Sequence, residues 1–320
     1  MTGGATSDGS RAFHLVTLAL VISIAALIGL NYSVMKGALD HTTPLALAAL
    51  RTSVGGPVLL AFALLRRERF PRTRDQWLAI WWISLTITTI SSGTLVLGVS
   101  RVSAGLAGML SATMPLFTAV IAVWVLRERP NRIGALGIGV GFVGASVLAL
   151  PAFDSGNTLA GVGFLLIATV MWAIGGVLNK RLPAALEVSP VMLVAMQIMM
   201  SCVCLHLAVP VFEDWSDTDF VPGLLWPLVY AGVPALAVSF ALFATVLRRA
   251  PAIQASVAAY LTPVFGVTFG WLIRDERFGV LELLGGALVV IGVLTLSFSG
   301  MRRSPPPAPA ESPEVRTAAV

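Results

Sequence analysis

Two stretches of 34 residues, AGLAGMLSATMPLFTAVIAVWVLRERPNRIGALG at 104–137 and AIQASVAAYLTPVFGVTFGWLIRDERFGVLELLG at 252–285, align without a gap at a separation of 148 residues. A proline in mid-segment, a glutamate after the apolar run and several small residues share this register. Chance rarely aligns all of these between two apolar segments, so the alignment indicates an internal duplication. The aligned pairs are Ala104/Ala252, Ala107/Ala255, Pro115/Pro263, Phe117/Phe265, Glu128/Glu276, Arg129/Arg277, Leu136/Leu284, Gly137/Gly285 and Gly144/Gly292.

The duplication continues toward the N-terminus. The separation falls there to 144–146 residues, which a small difference in loop length explains, and three further pairs align: Lys36 with Lys180, Pro44 with Pro190 and Arg51 with Gln197. The repeat therefore covers almost the whole chain, with its boundary near 151–159.

The composition is that of a membrane protein. Of the 320 residues, 57% are hydrophobic and 12% charged, which is too little charge to cover the surface of a soluble domain. A membrane-spanning helix needs about 20 mostly apolar residues. Ten segments qualify, at 14–34, 44–65, 77–99, 103–126, 132–150, 160–178, 189–210, 224–247, 252–273 and 279–299.

Ten spans divided between two copies give five spans per copy, which is an odd number. The second copy must therefore enter the membrane from the opposite face. We expect an all-α membrane protein whose ten transmembrane helices form two inverted five-helix repeats, related by a pseudo-two-fold axis in the membrane plane. This arrangement is common in secondary transporters, in which the two halves exchange conformations to open one side or the other.

The basic residues predict the orientation. If the N-terminus is cytoplasmic, sixteen Lys and Arg residues fall in cytoplasmic segments, and the opposite side holds four: Lys36, Arg101, Arg274 and Arg277. This positive-inside asymmetry places both termini in the cytoplasm. The net charge of +5 then orients the protein and gives no reason to expect a nucleic-acid partner.

The sequence divides into five parts. Residues 1–12 are rich in small polar residues and 301–320 contain five prolines, so we expect flexible cytoplasmic tails. Between them we expect a first repeat at 13–150, an external linker at 151–159 and a second repeat at 160–300.

The motif around each proline resembles the EamA-type repeat of the drug/metabolite transporter superfamily. In the first copy, Thr113-x-Pro115 is followed after twelve residues by Glu128, and in the second Thr262-Pro263 is followed after twelve by Glu276. The resemblance covers residues 14–299. It implies a carrier in the bacterial inner membrane that exports amino acids, other metabolites or toxic compounds. It also implies a central cavity enclosed mainly by helices other than the fifth and tenth.

Arg51 is the one charged residue well inside a predicted span. A charge in the membrane is costly unless it faces protein or water, so we predict that Arg51 binds a substrate carboxylate or phosphate. Pairing with helix carbonyls, or extension to the external surface, is the alternative. Its repeat partner Gln197 completes an asymmetric polar pair, and Asn31 in the first span is a further predicted contact.

Two aromatic residues are also predicted to bind substrate. Trp172 lies far from either membrane boundary, where its indole N–H needs a partner, although simple packing is the alternative. Ser256, Tyr260 and Pro263 share one face of the ninth span. We predict that Ser256 and Tyr260 line the cavity, with helix–helix hydrogen bonding as the alternative for Tyr260. Pro115 and Pro263 permit kinks, and we predict that they act in gating.

Other features indicate packing or helix anchoring. Gly137 and Gly141 form a GxxxG motif, and glycines recur in the tenth span, which predicts close helix contact. We expect Glu128 and Glu276 to anchor helix ends rather than to carry protons. No Asp or Glu lies deep in any predicted span. Carriers of organic cations usually need one, so the sequence favours neutral, zwitterionic or anionic substrates.

We therefore expect a secondary transporter that exports a small metabolite, such as an amino acid, by alternating access. Multidrug or toxic-compound efflux is the alternative. An intramembrane enzyme or a pore fits less well, because the histidines (His14, His41 and His206) lack an intramembrane acidic partner or metal-ligand spacing. We predict no catalytic residues, no cofactor and no metal. The expected partners are a small-molecule substrate and the lipid bilayer, and the sequence is compatible with a monomer or a homodimer.

Overall fold

A computed structural model describes residues 5–154, 156–182, 187–249, 252–299 and 301–303. We number its long helices α1 to α10. Most are single helices: α1 Ala5–Ala38, α2 Pro44–Leu65, α5 Arg132–Ala149, α6 Gly156–Arg181, α7 Pro190–Phe212, α9 Ala252–Arg274 and α10 Val280–Ser299. Three are composite: α3 comprises Arg74–Ile83, Ser84–Ile90 and Ser91–Val99, α4 comprises Ala104–Ser111 and Met114–Val125, and α8 comprises Pro222–Gly232, Val233–Val238 and Ser239–Arg249.

The all-α membrane fold is confirmed. Nine helices in the described part of the chain are long and apolar enough to span a membrane. Helix α9, whose side chains are described from Ala258 onward, is the tenth apolar helix. Helix α3 begins at Arg74, three residues before the predicted span, because a capping side chain extends it into polar sequence. Thr73 and Gln76 form a capping box at the start of α3.

Helix contacts follow the pseudo-two-fold relation between the halves. Helix α1 packs against α9 and α8, and its counterpart α6 packs against α4 and α3. Helices α2 and α7 pack against each other, as do α5 and α10. Each half therefore contacts the other through equivalent helices, as two inverted five-helix repeats require.

Glycines bring α5 and α10 to backbone contact. A Cβ on Gly144 would lie 2.6 Å from the backbone nitrogen of Val289, and one on Gly137 would lie 2.8 Å from that of Leu296. Such distances leave no room for a side chain, so the close packing predicted from the GxxxG motif is confirmed.

A π-helical segment occurs in both repeats at the same place. Ser84–Ile90 in α3 maps, at the separation of 148, onto residues 232–238, and α8 is π-helical over Val233–Val238. Such segments are rare and are often found at functional sites. Periodicity predicted only regular helices here.

The proline-bearing helices differ in shape. Helix α4 is interrupted between Ser111 and Met114, just before Pro115, whereas α9 runs unbroken through Pro263. The Thr113 hydroxyl donates to the Leu110 carbonyl at 2.6 Å, three residues back. The two copies thus hold the same proline in two conformations.

A short antiparallel ladder joins the end of α4 to the C-terminal segment. Strand β1, Glu128–Pro130, pairs with β2, Met301–Arg303. This is the only pairing of strands in the described residues, and it lies at the face predicted to be cytoplasmic.

Candidate functional site

A layer of polar side chains crosses α1 to α4 in one half of the helix bundle. It is centred on Arg51, two turns from the start of α2, and its guanidinium is buried, with 6% of the residue exposed. The Ser92 side chain of α3 and the Asn31 and Tyr32 side chains of α1 lie at the same depth and are also buried. These residues form the outer polar layer, because they lie in the half predicted to face the outside.

The guanidinium of Arg51 is poorly satisfied. One terminal nitrogen donates to Ser92 Oγ at 2.8 Å, and the other donates to Met35 Sδ at 3.0 Å. A thioether is a weak acceptor. The Nε atom is buried without a partner, and no carboxylate among the described residues pairs with Arg51. Burying an unpaired ion costs several kcal/mol, so this guanidinium retains an unused donor at a free-energy cost.

Asn31 supplies the complementary group. Its Nδ2 donates to the same Met35 Sδ at 3.5 Å, and its Oδ1 is buried with no partner. The outer polar layer therefore presents an unused donor on Arg51 and an unused acceptor on Asn31, both beside one sulfur atom. A small ligand with an anionic group and an N–H donor would satisfy both.

Tyr32 also lies in the outer polar layer, although the sequence pattern did not predict a role for it. Its side chain lies near the Ser111 side chain of α4 and the Arg51 guanidinium. Its ring lies where α4 and α9 cross at Gly108 and Gly266. Its position beside Asn31 was the one signal available in the sequence.

The hydroxyls of α3 bond to three different neighbours, so helical spacing could not assign them to one face. Ser84 and Thr88 donate to the backbone carbonyl of Gln197 at 2.7 and 3.2 Å. Ser91 donates to the Ala168 carbonyl of α6 at 2.8 Å, while Ser92 accepts from Arg51. The π-helical turn holds α3 against α7 immediately inward of the outer polar layer.

Gln197 lies on α7 and is buried, but it is not adjacent to Arg51. The antiparallel register is fixed by Ser53, which lies 3.3 Å from His206 Nε2, and by Gly56, which faces Met199. By this register Gln197 lies about nine residues, or ~13 Å, closer to the predicted cytoplasmic face than Arg51. The two repeat partners lie at different depths, as an inverted repeat places them.

The remaining predicted residues lie elsewhere. Trp172 stacks on Phe240, with ring centroids 6.1 Å apart and an interplanar angle of 15°. The buried Tyr260 hydroxyl is hydrogen-bonded to Ser297 of α10. The side chain of Ser256 lies outside the described residues. The structure thus brings together Asn31 and Arg51, and the substrate roles of the other predicted residues stay predictions.

In the described residues, no group of three or more His, Cys, Asp or Glu side chains could hold a metal ion.

Ten helices in two inverted repeats around a buried polar layer define a multi-pass membrane transporter. The chain belongs to the EamA-like transporter family, whose model matches residues 15–150 and 159–298.

Relatives of known sequence are similar over most of their length. An uncharacterized transporter, YoaV of Bacillus subtilis (strain 168), is 25% identical over 286 residues, which cover 88% of this chain and 97% of that protein. The uncharacterized inner membrane transporter YedA of Escherichia coli (strain K12) is 25% identical over 272 residues, with 84% and 86% covered. A solved crystal structure matches with a TM-score of 0.65 at 17% identity, over 88% of this chain and 97% of that chain, and has the same fold.

Proposed function

We propose that this protein is a secondary transporter of the bacterial inner membrane, with both termini in the cytoplasm, and that it exports a small zwitterionic or anionic metabolite by alternating access. The observation that carries the substrate class is the buried guanidinium of Arg51, which has no acidic partner among the described residues. The family resemblance supports the direction of transport. The inner-membrane relative YedA supports the location.

An amino acid is the simplest ligand that fits the outer polar layer. Its carboxylate would accept from the unused Nε of Arg51 and compete with Met35 for a terminal nitrogen. Its ammonium would donate to the free Oδ1 of Asn31. The carboxylate charge would then be paired and the ammonium would be hydrogen-bonded, which lowers the cost of burying both groups in a membrane.

Efflux of cationic drugs is less well supported. A cation in this layer would face the positive charge of Arg51 with no described carboxylate nearby to offset it. Like charges a few ångströms apart in a medium of low polarity repel by several kcal/mol. The geometry therefore favours carboxylate-bearing substrates over organic cations.

Purified protein in proteoliposomes tests this proposal. We expect the wild type to accelerate the flux of labelled amino acids or other small carboxylates. Arg51→Gln should weaken their apparent affinity about 10- to 150-fold, because a hydrogen bond to a charged group contributes about 1.5–3 kcal/mol. Expression and insertion should be preserved.

Arg101→Gln is the matched control. Arg101 is also on the outer side, but it donates to the Leu97 carbonyl at 2.8 Å and lies over the Phe164 ring. Arg101→Gln should leave the affinity for carboxylate substrates within about twofold of wild type. Unchanged affinity in Arg51→Gln, or flux of organic cations alone, would exclude the proposed substrate class.

A further inference from the structure

The outer turn between α3 and α4, residues 100–103, is held from both ends by charged side chains, one from α1 and one from the segment after α9. On the α3 side, Lys36 Nζ donates to the carbonyl of Val99 at 3.2 Å and to that of Val102. On the α4 side, the backbone N–H groups of Ala104 and Gly105 donate to the two carboxylate oxygens of Glu276 at 2.6 and 3.0 Å. A cation thus meets a helix C-terminus and an anion meets a helix N-terminus, the favourable pairing in each case.

The segment after α9 is shaped to place this carboxylate. Asp275 has a φ of 53°, a left-handed conformation that costs a non-glycine residue free energy. That turn sends Glu276 back across α9, where it lies against Gly270, and places the Phe278 ring against Gly105. Neither glycine position has room for a Cβ. The contact between this segment and α4 is therefore specifically built.

The repeat places an equivalent lysine, glutamate and left-handed residue at the opposite face. Lys180 is the repeat partner of Lys36, and Glu128 is that of Glu276. Arg127, the counterpart of Asp275, is also left-handed, with a φ of 55°. The two faces differ at the lysine: Lys36 is bound to two carbonyls, whereas Lys180 is exposed and donates no hydrogen bond among the described residues. They differ also at the glutamate, because Glu276 caps α4 whereas Glu128 lies in strand β1.

We propose that Glu276 and Lys36 form an outer latch that closes the pathway to the outside, and that Glu128 and Lys180 form its counterpart at the cytoplasmic face. The outer latch holds the first turn of α4, and Ser111, which contacts Tyr32 of the outer polar layer, lies two turns below it. Withdrawal of α4 from Glu276 would expose that layer to the outside. The proposal rests on the proposed transport function, because alternating access requires the two latches to close in turn.

Thiol labelling tests the outer latch without any substrate. The reporter is Ala107→Cys, a fully buried position one turn into α4, in a background with Cys202 and Cys204 replaced by alanine. An impermeant thiol reagent is added from outside. Glu276→Gln removes the charge and one of the two acceptors at constant size. We expect it to speed labelling at least tenfold, and we expect Lys36→Met to act in the same direction.

Glu213→Gln is the matched control. The Glu213 carboxylate also caps a helix at the outer face, accepting from the N–H groups of Leu45 and Ala46 at 2.8 and 3.2 Å. It holds α2, not α4, and it has no counterpart in the repeat motif. Labelling of Ala107→Cys should therefore stay within twofold of the parent. If Glu213→Gln speeds labelling of Ala107→Cys as much as Glu276→Gln does, the effect comes from a general loss of stability at the outer face. That result would overturn the proposal.

The counterpart is tested by Glu128→Gln with a cysteine at Ala255, the repeat partner of Ala107, labelled from the cytoplasmic side. Glu276→Gln should slow labelling of the cysteine at Ala255. Glu128→Gln should speed labelling at Ala255 and slow labelling of the cysteine at Ala107. If Glu276→Gln does not fold, Glu276→Asp, with a shorter reach, should give an intermediate rate. An unchanged outer rate in folded variants refutes the outer latch, whereas failed amino-acid flux alone refutes only the proposed substrate.

Discussion

At the scale of single residues, the chemistry of the outer polar layer depends on how Arg51 and Asn31 share Met35. Both donate to the Met35 sulfur, at 3.0 and 3.5 Å, so the guanidinium and the amide lie within a few ångströms of each other. A substrate carboxylate is expected to enter this gap. A fixed carboxylate placed there should compete with it.

Asn31→Asp provides that fixed carboxylate at nearly constant shape. We expect the introduced carboxylate to form an ion pair with Arg51, which should weaken the affinity for carboxylate substrates at least tenfold. Thermal stability should equal or exceed that of the wild type, because the buried cation gains a partner. Flux assays and thermal unfolding in detergent measure the two effects. Asn31→Leu, which adds no charge, should weaken the affinity for amino acids about 10- to 150-fold, the scale of a hydrogen bond to a charged group. It should leave carboxylates that lack an ammonium group near wild-type affinity. Full affinity in Asn31→Asp would contradict the proposed binding mode.

The sequence predicted some members of this layer and missed others for a physical reason. A charge within an apolar run is visible without a structure, so Arg51 could be selected directly. Asn31 could be selected as a polar residue in the first predicted span. Tyr32, Met35 and Ser92 could not, because their roles depend on how α1 and α3 are rotated. The π-helical turn alters the rotation of α3, and periodicity gives no sign of it.

At the scale of elements, the proline-bearing helices offer the clearest asymmetry between the repeats. The sequence predicted that both helices could kink, whereas the structure breaks α4 before Pro115 and leaves α9 continuous through Pro263. A proline removes one backbone donor and so lowers the cost of a break without enforcing it. The neighbouring helices therefore determine the shape, and the proposed alternating access would exchange the surroundings of the two prolines.

Pro115→Ala and Pro263→Ala should therefore slow transport more than they weaken binding. Alanine restores a backbone donor and favours the continuous helix in whichever copy carries it. Because the two helices run in opposite directions through the membrane, the variants should shift accessibility with opposite signs. Cysteine labelling at each mouth of the pathway measures this. Shifts in the same direction, or full transport with no shift, would limit both prolines to static packing.

At the scale of the whole molecule, the duplication and the hydropathy pattern together determined the architecture. Five spans in each copy require inversion, and the contacts of α1 with α9 and of α6 with α4 agree with it. The sequence could not say which end of the pathway is closed. That property depends on contacts between distant segments, such as Glu276 with the start of α4, which carry no local pattern.

The charge pattern also predicts the orientation in the membrane. The assignment of the outer polar layer and the outer latch to the external side depends on this orientation. The count of sixteen basic residues against four predicts that the α2–α3 loop lies inside and the α7–α8 loop outside. Single cysteines at the exposed positions Ser216 and Asp75 test it in the cysteine-free background. Thr73 is unsuitable because it caps α3. An impermeant reagent should label Ser216→Cys in intact cells and Asp75→Cys only after permeabilisation. The reverse pattern would place Arg51 in the cytoplasmic half, so the Glu276 latch would then close the cytoplasmic side and the proposed export cycle would have to be inverted.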